Sequence, residues 1–128
     1  MSAILDESPD RHAWMLEGHR VTQICIDLAS VRFESWTLQD SLDVRISGTF
    51  ELRELDGGTR SIDPTQPEQL APLLTLLGAE MRTLSVSRAG FLDLSFSEGT
   101  QLSVSPRPRR DAFAVQGGGS LEGLSYLG

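Results

Sequence analysis

The chain repeats one apolar rhythm sixty residues apart: Gly18-His19-Arg20-Val21-Thr22-Gln23-Ile24-Cys25-Ile26 aligns with Gly78-Ala79-Glu80-Met81-Arg82-Thr83-Leu84-Ser85-Val86. Further on, Val31 and Phe33 answer Leu92 and Leu94, and Leu42 and Val44 answer Leu102 and Val104. Few identities recur. What recurs is a glycine followed by three segments in which apolar and polar residues alternate, the period that turns one side of a strand toward a core. This pattern predicts two related antiparallel β units of three or more strands each, over about residues 16–55 and 76–115.

The segment between the units reads as a helix. Asp63 is suited to cap it, Pro64 to open it and Glu68 to complement its dipole. Leu70, Leu73, Leu74 and Leu77 recur at α-helical spacing and form one apolar stripe, and Gly78 closes the helix. Pro72 strains this reading, by kinking the helix or delaying its start. The predicted fold class is therefore α+β: two antiparallel units joined by one helix, with a barrel-like or sandwich core. Residues 1–11, polar and carrying Pro9, read as a flexible tail before a single domain over 12–128. Trp14 and Leu16 point to a short first strand, and Asp56-Gly57-Gly58 to a hairpin turn. Gly117-Gly118-Gly119 reads as a flexible turn between strands near Ala112–Val115 and Leu121–Leu127.

Charge narrows the function classes. The chain carries −7, and residues 1–64 hold twelve acids against six arginines, leaving −6 in the first half and −1 in the second. Such a field repels phosphate backbones, so no nucleic acid is expected as a partner. It favours a basic protein, or else serves solubility alone. The longest mostly apolar stretch, Leu70 to Ala79, is about half a bilayer span, so no membrane partner is expected. A single cysteine, Cys25, allows no internal disulfide, and the first residues are acidic without a basic-then-apolar leader. Both favour a cytoplasmic location. All eleven basic residues are arginine, and lysine and asparagine are absent, as a GC-rich bacterial genome would produce.

Chemistry-bearing constellations are sparse. His19, Cys25 and Asp27 lie near one another in sequence, but Cys25 alternates with Ile24 and Ile26 and reads as a packed or half-exposed thiol. Two histidines, His12 and His19, and one cysteine predict no metal site, and neither glycine-rich turn is a phosphate loop. No cofactor is expected. Asp40, Asp43, Glu51 and Glu54 are the acids that could meet a partner, although solvated strand faces explain them as well. Trp36 falls opposite the Val31 and Phe33 face and is either a contact anchor or an edge cover. Arg107, Arg109 and Arg110 form the one basic cluster, a solvated loop, an anion site or a contact for the acidic half of a second copy.

Trp14…Leu16-Glu17-Gly18-His19-Arg20-Val21, Asp63-Pro64, Leu74-Thr75-Leu76-Leu77-Gly78 and Gly90-Phe91-Leu92-Asp93-Leu94-Ser95-Phe96-Ser97-Glu98-Gly99 together resemble an uncharacterised family of small actinobacterial proteins. More distantly, the chain is similar to small β-rich immunity proteins of bacterial polymorphic toxin systems. The resemblance spans about residues 12–115, with Asp111-Ala112-Phe113 where an acid-Ala-aromatic trio is expected, and it brings no catalytic residue. The leading functional expectation is a non-catalytic protein-binding module, in its specific form an immunity protein using an acidic face that includes Asp40, Asp43, Glu51 and Glu54. The alternatives are a small hydrolase or isomerase using His19 and a carboxylate, and a self-associating protein paired through strand edges as a homodimer.

Overall fold

The computed structural model describes residues 4–7, 11–106 and 112–127. Among them run twelve strands: β1 (Ile4–Glu7), β2 (Arg11–Met15), β3 (Gln23–Ile26), β4 (Val31–Trp36), β5 (Ser41–Ile46), β6 (Phe50–Arg53), β7 (Thr59–Ile62), β8 (Met81–Ser87), β9 (Leu92–Phe96), β10 (Gln101–Val104), β11 (Phe113–Gly118) and β12 (Ser125–Leu127). They form a seven-stranded sheet, β1-β2-β8-β9-β10-β6-β7, and a five-stranded sheet, β12-β11-β5-β4-β3. Every pairing is antiparallel. The segment read as a loose tail carries β1 and the first residue of β2, and its residues 1–3 and 8–10 lie outside the described residues. So do Arg107, Arg109, Arg110 and Asp111.

The two repeats meet at their first residues. Val21 N donates to Ala79 O at 3.0 Å and Met81 N donates to His19 O at 2.9 Å, a pair of bonds that the sixty-residue shift interchanges. Arg20 and Glu80 sit opposite each other between them. Gly18 and Gly78, at φ 88° and 86°, make the same left-handed entry. From this junction each repeat runs out as a meander, β3-β4-β5 into one sheet and β8-β9-β10 into the other.

Each repeat then gives its last two strands to the opposite sheet. The β6-β7 hairpin leaves the first meander to pair with β10, and β11-β12 leaves the second to pair with β5. Phe50 faces Val104 across one of these seams and Phe113 faces Ile46 across the other. By that correspondence Ile46 matches Val104 and Val44 matches Leu102, two residues away from the sequence alignment of Leu42 and Val44. The cause is unequal strand length, six residues each in β4 and β5 against five and four in β9 and β10.

The sheets stay open at their edges, which makes the core a sandwich rather than a closed barrel. Alternation does what the sequence predicts: Phe33, Val44 and Phe113 of one sheet and Phe50, Leu84, Leu94 and Phe96 of the other are all buried. Trp14 is buried as well, and its Nε1 donates at 3.0 Å to Tyr126 Oη, which also lies 3.0 Å from His12 Nδ1. That contact ties β12 of one sheet to β2 of the other.

The connecting helix is 3₁₀ rather than α, and it covers Pro67–Leu76. Asp63 does not cap it. Its Oδ1 instead accepts from Thr65 N and Oγ1 at 2.9 and 2.7 Å, closing a turn three residues earlier. Pro72, which has no N–H, lies inside the helix. With three residues per turn the buried row becomes Leu70, Leu73 and Leu76. Leu74 and Leu77, assigned to the buried stripe at α-helical spacing, are 55% and 57% exposed. Gly78 follows the C-cap residue Leu77 as expected. Among the described residues, no helix is long and apolar enough to cross a membrane.

Candidate functional site

The outer face of the five-stranded sheet gathers most of the chemically distinctive side chains. Strand register arranges them in rows. Gln23, Glu34, Asp43, Gln116 and Ser125 form one row, and Cys25, Arg32, Arg45, Ala114 and Leu127 the next. Beyond Glu34 stands Trp36, in line with Ser41 and Gly118. At the centre Arg32 Nε lies 3.8 Å from Glu34 Oε1 and 3.7 Å from Asp43 Oδ1. These separations exceed a hydrogen bond, and Arg32 Nε and Asp43 Oδ1 are buried atoms without a hydrogen-bond partner. Cys25 Sγ approaches Glu34 Oε2 at 3.7 Å. A shallow cleft of about 520 Å³ opens beside them, lined by Arg32, Asp43, Arg45, Gln116, Ser125 and Tyr126, among others.

Trp36 is 59% exposed, and Leu38, in the turn that follows, is fully exposed. The row neighbours of Trp36 are a serine and a glycine, so the ring rises above a low surface.

The four acids expected to form one face are dispersed. Asp43 lies on the outer face just described. Glu51 alternates with the buried Phe50 and Leu52 in β6 and so faces outward from the other sheet, on the far side of the sandwich. Glu54 is in a third place, the β6-β7 turn, where it pairs with Arg60. That pair borders an end cleft of about 520 Å³ between the turn and the 3₁₀ helix, with Asp56 and Glu98 also on its wall and Leu52 and Leu76 in its lining. A smaller cleft of about 330 Å³ opens between β7 and the helix at Ser61, Glu68 and Gln69.

Asp40 has a structural task that the sequence did not reveal. Its Oδ1 accepts from Ser120 N at 2.8 Å and Ser120 Oγ at 2.9 Å, while Oδ2 lies 3.6 Å from His19 Nε2. The carboxylate thus fastens the β4-β5 turn to a short 3₁₀ helix at Gly119–Leu121. Gly117-Gly118-Gly119 is not a flexible turn: the first two residues complete β11 and the third opens that helix.

Asp40 and Asp43 respond to their surroundings in opposite directions. The two Ser120 donors, and then the charge of His19, hold Asp40 below its ordinary value of 3.8. Desolvation, helped by Glu34, pushes Asp43 above the same value against the opposing charges of Arg32 and Arg45. A lowered folded value means that Asp40 contributes its full stabilisation above its unfolded titration and loses it as pH falls through 3.8 and below. The raised value of Asp43 reverses the sign: any stabilisation is complete at low pH and is lost as pH climbs through the raised value. Asp40→Asn is therefore expected to lower the neutral-pH melting temperature and to flatten the acid limb of the profile. Asp43→Asn is expected to leave the neutral-pH value unchanged or higher. Thermal melts from about pH 2 to pH 7 check both, and an Asp40→Asn profile parallel to wild type would count against the Ser120 anchor.

No group of three or more His, Cys, Asp or Glu side chains suited to a metal ion occurs among the described residues. His19 does meet a carboxylate, that of Asp40, but neither residue lines any of the three clefts described above. Cys25 and Asp27 are not brought to it: they lie at the β3 edge, and Asp27 Oδ2 accepts from Ser30 Oγ at 3.4 Å in its own turn.

No curated protein and no solved structure matches the chain. The model of one family covers residues 12–122, which take in both meanders, the β6-β7 hairpin, the 3₁₀ connector and β11, and stop short of β12. The chain belongs to that family, the family of unknown function DUF6188.

Proposed function

We propose that the protein is a non-catalytic protein-binding module whose contact surface is the outer face of the five-stranded sheet. The observation that carries this reading is Trp36, a large aromatic left 59% exposed beside low neighbours and next to the Arg32, Glu34 and Asp43 group. Tryptophan and arginine are the residues that most often anchor protein interfaces. The specific form of the proposal is an actinobacterial, cytoplasmic immunity protein that neutralises a toxin. The net charge of −7 suits electrostatic capture of a basic enzyme rather than nucleic acid. Asp43 belongs to the contact in this reading, whereas Asp40, Glu51 and Glu54 act only through the overall field.

The test is isolation of the partner followed by titration of variants. Trp36→Ala is expected to weaken binding by about 2 kcal/mol or more, roughly thirty-fold, with an unchanged melting temperature because the side chain is solvated. Glu51→Lys, on the far side, is expected to alter only the salt-sensitive association rate. Wild-type affinity in Trp36→Ala refutes the proposed surface. The second reading, a small hydrolase or isomerase, is favoured by the 3.6 Å approach of His19 to Asp40. It requires turnover that His19→Ala abolishes and Trp36→Ala retains.

A further inference from the structure

The near-symmetry of the two sheets has one gap. Strands β7-β6-β10-β9-β8 of the larger sheet correspond to β12-β11-β5-β4-β3 of the smaller, but β8 continues into β2 and β1 whereas β3 has no further neighbour among the described residues. The sixty-residue shift that relates the repeats carries β2, Arg11–Met15, onto residues 71–75, inside the 3₁₀ helix. There Pro72 and the three-residue winding replace a strand, and the place beside β3 is left open.

The exposed edge is suited to receiving another strand. Asp27 N donates to Ser30 O at 2.9 Å, which fixes the alternation along the β3-β4 ladder. Cys25–Arg32 and Gln23–Glu34 are then the hydrogen-bonded pairs, and Ile24 and Ile26 direct their N–H and C=O groups outward. The strand Gln23-Ile24-Cys25-Ile26 carries neither charge nor proline, the usual devices that block edge pairing. Ile26 is 50% exposed and Ile24 packs only partly against the core.

We propose that the occupant is a second copy of this chain, paired β3 to β3 in antiparallel fashion about a two-fold axis at Cys25. This inference is independent of the partner-binding proposal. In that register Ile24 of each copy exchanges both backbone hydrogen bonds with Ile26 of the other, so every outward group on those residues is satisfied and the two isoleucines cover each other. Charge permits it: the paired strands are neutral in a chain of −7, and the nearest acid, Asp27, falls opposite Gln23 rather than opposite another acid. Registers centred on Ile24 or Ile26 satisfy these groups less fully, because Thr22 N already donates to Glu34 O at 2.8 Å and Leu28 lies beyond the strand. The first sets Ile26 against Thr22, and the second sets Ile24 against Leu28, which sits in the turn outside the strand. The two five-stranded sheets become one continuous sheet, with both Trp36 rings on one face.

The register makes a sharp test, because the two Cys25 residues form a non-hydrogen-bonded pair with Cα atoms about 4.5 Å apart, within disulfide range. Under reducing conditions the full chain is expected to sediment as a dimer across the micromolar range. Added diamide should link it through Cys25, its sole cysteine, into a covalent dimer. Ile26→Lys, at a half-exposed position that tolerates a charge, should shift the sedimenting mass to monomer and abolish the crosslink. A Cys25→Ser, Gln23→Cys chain should remain dimeric yet fail to crosslink, since Gln23 faces Asp27 of the other copy. A monomeric wild-type chain under reducing conditions overturns the proposal. So does crosslinking of the Gln23→Cys chain as fast as wild type, which would place a different register at the interface.

Discussion

Gly119→Ala is expected to lower stability by about 4 kcal/mol or more, a large share of what holds a domain of this size folded. Gly119 holds φ at +70°, and a Cβ there would stand 1.9 Å from Gln39 O and 2.6 Å from Asp40 Oδ1. A backbone oxygen cannot yield without moving the β4-β5 turn, and moving that turn breaks the Asp40–Ser120 bonds. Two companion variants separate strain from collision. Gly57→Ala meets nothing within 4 Å and shares only the left-handed conformation, at φ +87°, so its cost should be near 1–2 kcal/mol by rough estimate. Gly117→Ala has no positive φ but sets a Cβ 2.1 Å from Leu121 O, and should approach the loss seen for Gly119. Urea unfolding of the three variants gives the ranking directly. Equal small losses across the set would mean that β11 and the 3₁₀ turn are not closely packed.

A second large contrast is expected within two adjacent leucines. Leu73→Ala should cost about 2–5 kcal/mol, because Leu73 lies at 1% exposure between the sheets. Leu74→Ala should stay within about 0.5 kcal/mol, because that side chain is 55% exposed. An α-helix with the same leucines would bury both, so comparable losses would refute three-residue winding. The measurement is again a denaturant midpoint, with the slope checked for constancy.

The strands were legible because each demands a two-residue alternation that few other structures produce. Val31-Arg32-Phe33-Glu34-Ser35 reads as a half-buried strand from its alternation alone, and it is one. The connector is ambiguous in sequence because Leu70, Leu73, Leu74 and Leu77 satisfy an α-helical stripe, while Leu70, Leu73 and Leu76 satisfy a three-residue one. Pro72 was the signal that should have decided between them. Gly117-Gly118-Gly119 reads as slack in the sequence because glycine permits flexibility. Its other use, letting backbones approach, depends on Gln39 and Leu121, and the close approach of Gln39 is invisible in a local window. Asp40 likewise looked like a surface acid, since its partner Ser120 is eighty residues away. Trp36 is readable as a candidate anchor from its phase opposite Phe33, but only coordinates could show that more than half of it is exposed. The dispersal of the acids has a related cause. Alternation gives the side of a strand on which a residue lies but not the sheet to which the strand belongs, so Asp43 and Glu51 came out on opposite surfaces.

The exchange of hairpins between the repeats governs how the chain must assemble during its synthesis. Residues through Ile46 are enough for the first meander, yet the strand that covers its β5 edge, Phe113–Gly118, is made nearly seventy residues later. Until then that edge and the apolar flank behind it stay uncovered, open to other nascent chains. The β6-β7 hairpin waits in the same way for β10. Neither half can mature alone, and a ribosome that stalls between them would release a fragment with an unprotected strand edge and no sheet to receive its own last hairpin.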